Sequence, residues 1–63
     1  MVIEKDVKAG DMMHHVFTGN IFKVLRVYEE NGEPVWVLGP TEKGKDPLEV
    51  RELKQWWRKV RRP

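Results

Sequence analysis

The chain has 63 residues, with 12 Lys and Arg against 10 Asp and Glu, and no cysteine. That length holds one domain near the lower limit of independent folding, and without thiols it has neither disulfide staples nor cysteine zinc ligands to support it. No apolar run approaches the ~20 residues that cross a bilayer, and MVIEKDVKAG is charged from its fourth residue with no apolar core, so neither a membrane span nor a signal peptide is expected and the cytoplasm is the expected compartment.

Taken in chain order, Ala9-Gly10-Asp11 reads as a turn into a first strand over 12–17, MMHHVF. Thr18-Gly19-Asn20 is a second turn. IFKVLRVYEE, at 21–30, is rich in β-branched and aromatic residues and reads as a strand. Asn31-Gly32 is a type I′ hairpin signal, because both central positions of that turn need positive φ. The return strand covers 34–38 around VWVL, and Gly39-Pro40 stops it. A two-residue loop sets a register in which Glu30 faces Glu33, Tyr28 faces Val35, Val27 faces Trp36, Arg26 faces Val37 and Leu25 faces Leu38. Both faces of that hairpin are then apolar, and both need cover. TEKGKDP is a polar connection with a turn at Lys43-Gly44, followed by a short strand at 47–50.

The C-terminal segment is predicted to be the missing cover. At 100° per residue, Val50, Leu53, Trp56, Trp57 and Val60 fall within about 120° of arc, which is the pattern of an amphipathic helix over 51–61. Asp46-Pro47-Leu48-Glu49 offers a competing helix start at Pro47, with an N-cap, a proline at N1 and a glutamate at N3. The wheel favours the later start, because Glu49 would enter the apolar arc and Leu48 would leave it.

Charge divides the same way. Residues 1–50 carry six Lys and Arg against nine Asp and Glu, whereas residues 51–63 carry six against Glu52 alone. On the helical wheel Arg51, Lys54, Arg58, Arg61 and Arg62 fill about 100° of arc beside the apolar stripe, with Trp57 at its nearer edge. Such a stripe suits phosphate contacts, which give salt-dependent and largely sequence-independent affinity. Cations late in a helix also offset its macrodipole, so the stripe has a purely structural reading as well.

GDMMHHVFTGNIFKVLRV resembles the opening of small SH3-like proteins of the KOW and YodC-like kind, with Gly-Asp entering the first strand and aromatic-x-Val-Leu after the first turn. The resemblance covers residues 10–38, and ELKQWWRKV lies outside it. It implies a mostly-β fold, a small SH3-like barrel of short antiparallel strands, here with the C-terminal amphipathic helix added. It also implies binding rather than catalysis, since such barrels serve as nucleic-acid, ribosome and protein-binding modules.

The residues themselves offer little chemistry. There is no serine or cysteine, the only hydroxyls are Thr18, Thr41 and Tyr28, and no glycine-rich phosphate loop is present. His14 and His15 are adjacent on a strand and point to opposite faces, so they do not converge on one metal ion. Glu29-Glu30-Asn31-Gly32-Glu33 reads as a solvated hairpin tip. No enzyme, cofactor or metal is expected. The expected function is nucleic-acid binding through Arg51, Lys54, Arg58, Arg61, Arg62 and Trp57, with His15 near the groove. The alternative is a protein-interaction module, an adaptor or small phage or mobile-element regulator, docking a strand edge or helix face on a partner or on a second copy.

Overall fold

A computed structural model describes residues 3–39 and 46–61. The expected stop at Pro40, the turn at Lys43-Gly44 and Arg62 lie outside the described residues. Five strands, β1 (Met12–His15), β2 (Ile21–Glu30), β3 (Glu33–Gly39), β4 (Leu48–Val50) and β5 (Trp57–Lys59), form one antiparallel sheet in the order β4-β3-β2-β1-β5. The protein is mostly β. The sheet is not closed: β4 and β5 are its two edges, and no ladder joins them among the described residues.

β2 and β3 meet at Asn31-Gly32, where φ is 54° and 79°, the positive pair a type I′ turn requires. The register follows the sequence expectation from Glu30↔Glu33 through Arg26↔Val37. It then shifts between Val24 and Arg26, so that Val24, not Leu25, pairs with Leu38. The extra residue at Leu25 is a bulge, which turns Leu25 out to solvent and sends Val24 inward. Val24 is held there by Gly10 N–H donating to its carbonyl and by its own N–H donating to the Asp11 carbonyl, at 2.8 and 2.7 Å.

Met13, Val24, Trp36, Leu38, Val50 and Trp57 form one buried cluster. Every strand contributes to it, including both edges, so the sheet curls around its own inner face. The outer face of β3 is also buried: Val35 and Val37 are 2% and 3% exposed. Their cover is a polar bridge. Tyr28 and Arg26 lie opposite them on β2, Glu49 lies opposite Val37 on β4, and Tyr28 Oη donates to Glu49 Oε2 at 3.0 Å across β3. Arg51 completes the bridge, and the stems of these side chains shield the valines while their polar tips stay wet.

The C-terminal helix expected over 51–61 is absent. Among the described residues there is no α-helix, only a 3₁₀ turn at Lys54–Trp56 followed by β5. Of the five residues on the expected stripe, Val50 and Trp57 are buried, whereas Leu53, Trp56 and Val60 are exposed. The reason is the open edge of β1. Val16 N–H donates to the Trp56 carbonyl and Val60 N–H donates to the Met12 carbonyl, both at 2.9 Å. A helix would have left those backbone groups of β1 without partners, a cost that outweighs amphipathic periodicity in so short a segment. The competing start at Pro47 is also not taken, since β4 begins at Leu48. β1 ends at His15 rather than Phe17, and that difference shapes the site.

Candidate binding groove

The chain leaves β1 abruptly. His15 Nδ1 accepts hydrogen bonds from the N–H groups of Phe17 and Thr18, each at 3.3 Å, and Gly19 N–H donates to the His15 carbonyl at 2.9 Å. The imidazole thus caps the turn from its own strand end, with Nδ1 as acceptor. The turn throws Phe17 outward, leaving it 71% exposed. The Val16–Trp56 backbone bond then sets Trp56 against it. The two rings meet edge to face, with centroids 5.1 Å apart and planes at 90°. His15 lies behind them, 4.8 Å from Trp57 and also edge-on.

Beside this pair runs a groove of about 570 Å³. Its floor is Trp57, Phe22 and Val50, and its far wall is Leu48 and Leu53, both exposed. Leu53 has φ 58° and ψ 33°, a left-handed conformation that costs a bulky residue roughly 1–2 kcal/mol. It precedes the 3₁₀ turn and makes no side-chain cap. Its side chain lines the groove and lies outside the buried core.

The basic arc expected on a helix is not one surface. Arg51 donates to Glu30 at 3.0 Å, to Glu49 at 2.9 Å and to Tyr28 Oη at 3.0 Å. These hydrogen bonds, Arg51 first, hold the Glu49 carboxyl below its usual range, whereas desolvation and then the bond to Glu49 push Tyr28 up. Lys54 is buried, with its Nζ bonded to the Pro34 carbonyl and 5.5 Å from the Trp36 ring centre. Arg58 donates to the carbonyls of Gln55 and Trp57. Arg61 pairs with Glu4 at 3.0 Å. Trp57 is 5% exposed and belongs to the core. Arg51 follows β4, Lys54 lies in the 3₁₀ turn, Arg58 in β5 and Arg61 after it, so they do not share the one face a helix would have given them.

No family model, curated protein or solved structure matches this chain. The site is therefore described by its own geometry. Among the described residues no three His, Asp or Glu side chains are arranged to hold a metal ion, and no helix is long and apolar enough to cross a membrane.

Of the residues singled out in the sequence, the structure brings His15 and Trp57 to the groove and Arg51 to its rim. Lys54 and Arg58 are used internally, and Arg61 is tied to the N-terminal segment. The aromatic pair itself was not evident. Val16-Phe17 immediately precedes Thr18-Gly19-Asn20, and reading it as an apolar pair at the start of a turn, instead of the end of a strand, is the signal that could have found it.

Proposed function

We propose that this protein is a non-catalytic protein-interaction module that binds through the groove beside Phe17 and Trp56. The observation that carries the reading is the exposed, edge-to-face Phe17–Trp56 pair adjoining an apolar groove. Large aromatic side chains left uncovered next to a concavity mark recognition surfaces, and aromatic anchors supply much of the binding energy at such sites. We read the curled five-stranded sheet as an SH3-like barrel with its gap between β4 and β5. The support is the shared core of all five strands and the opening resemblance over residues 10–38. Cysteine-free composition fits a reducing compartment such as the cytoplasm.

Nucleic acid is the competing ligand, because exposed aromatics also stack on bases. Arg51 and Arg61 pair with carboxylates of this chain, and Lys54 and Arg58 donate to backbone carbonyls. That arrangement favours the protein reading.

The two readings separate in one experiment. The full chain and its Phe17→Ser/Trp56→Ser variant are used as bait in nuclease-treated lysate, and labelled DNA and RNA are titrated at ~50 mM salt, where phosphate contacts are strongest. The expected result is a stoichiometric protein partner captured by the native chain and lost by the variant, with no nucleic-acid shift. A shift that fades steeply with salt, without a partner that depends on the aromatic pair, overturns the reading.

A further inference from the structure

The groove does not end in neutral surface. Arg51 and Glu52 line it and also line a second cleft of about 200 Å³ at the β2–β3 hairpin tip, where Glu30 and Glu33 stand. The two clefts adjoin at Arg51 and Glu52, with Trp56 and Trp57 in the first and Glu30 and Glu33 in the second. Glu30, Glu33 and Glu52 line the second cleft and Glu49 lines the first, with Arg51 the one guanidinium common to both. Arg51 gives its bonds to Glu30 and Glu49, and neither Glu33 nor Glu52 makes an ion pair with a described residue. Glu30 and Glu33 are also direct cross-strand partners. Like charges placed opposite one another weaken a hairpin, and a cation between them removes that penalty. Phosphate would be repelled from the same place.

We infer that the partner is an extended peptide segment in which an aromatic or branched aliphatic residue lies a few positions from a Lys/Arg cluster. The apolar residue seats against Trp56 and Leu53, with Phe17 supporting the Trp56 ring edge-on, and the cations lie between Glu33 and Glu52. This inference rests on the groove being the binding site and adds the chemistry of its occupant. Charge complementarity across the adjoining clefts sets the direction of the bound segment and its encounter rate, while the buried anchor sets its lifetime.

The test is selection of a random 12-residue displayed peptide library against the full chain, followed by synthesis of the enriched peptides. Binding is then measured on the native chain and on Phe17→Ser/Trp56→Ser, Glu33→Lys and Glu52→Lys. All four positions are exposed, and circular dichroism checks that each variant is folded. Enriched peptides are expected to carry Lys or Arg within a few residues of an apolar anchor. Affinity should fall at least about tenfold in the aromatic variant and about three- to tenfold in each charge reversal, the latter losses shrinking as salt rises. Enriched peptides that need Phe17 and Trp56 but show no cationic bias overturn the inference and leave the groove standing. A failure to enrich, or binding indifferent to Phe17 and Trp56, overturns the groove itself. A concentration-dependent dimer abolished by the aromatic variant makes the occupant a second copy and overturns the inference.

Discussion

The outer face of β2 to β4 and the aromatic end of the sheet are both made of exposed side chains, yet they are completed in opposite ways. On the outer face the charges around Tyr28 meet partners from the same chain: Arg51 with Glu30 and Glu49, Tyr28 with Glu49, and Arg26 over the Tyr28 ring at 5.1 Å. At the aromatic end, Phe17, Trp56 and Leu53 are exposed and stand outside the buried cluster, with the Trp56 ring edge-on to Phe17 and His15. In a domain this small almost every apolar side chain is needed for burial. Phe17, Trp56 and Leu53, the last on a strained backbone, are the exposed apolar residues on which the proposed binding face rests. The comparison shows that cations which look functional in a sequence can make contacts within their own chain, while apolar residues next to a turn stay exposed.

The sharpest break in that comparison lies between neighbours. Trp57→Ala is expected to cost about 3–5 kcal/mol in chemical denaturation, as for a core aromatic, which would leave the domain barely folded. Trp56→Ala should change stability by no more than about 1 kcal/mol, since its ring packs on Phe17 and His15 at the surface. Equal losses in the two variants would show that Trp56 serves the core and would remove the argument for a reserved binding face.

Leu53→Asn probes the strained wall. Asparagine accepts the left-handed conformation and lacks the apolar side chain. Stability should stay level or rise by up to about 1 kcal/mol, while binding of a groove ligand weakens. A marked loss of stability would place Leu53 among the packing residues instead.

Acid titration probes the charged face, with a smaller effect. The Glu49 carboxyl is held low by hydrogen bonds from Arg51 and then Tyr28, and the Asp11 carboxyl by the Lys8 backbone N–H, with burial opposing and Lys59 and Lys8 assisting. Depressed carboxylates contribute stability that is complete above their unfolded values, roughly 3.9 for Asp and 4.3 for Glu, and is lost as pH falls through the folded values. Thermal midpoints should therefore decline below about pH 4. Tyr28, raised chiefly by desolvation, has the opposite sign: its contribution is complete below about pH 10 and fades above it. Arg51→Ala should flatten the acid limb and reduce its salt sensitivity. An unchanged limb would mean that the Arg51 contacts do not hold the face together.

Local chemistry carried much of the fold. The Asn31-Gly32 turn, the span of β2 and the register down to Arg26 all rest on neighbours in sequence: positive-φ residues, β-branched runs and a two-residue loop. The turns at Gly10 and Gly19 follow from the same signals. Everything that depended on distant partners was decided by tertiary structure. The bulge at Leu25 follows from Val24 being claimed by the Gly10-Asp11 segment, and the inward turn of Trp57 follows from the free edge of β1. Val50, Leu53, Trp56, Trp57 and Val60 have a helical period, but period states only which residues would share a face if a helix formed. Edge pairing supplied a competing set of backbone hydrogen bonds and imposed a period of two. That switch dispersed the basic arc, buried Trp57 and left Trp56 beside Phe17, so the composition of the C-terminal segment is a property of the sequence and the location of the candidate site is a property of the sheet.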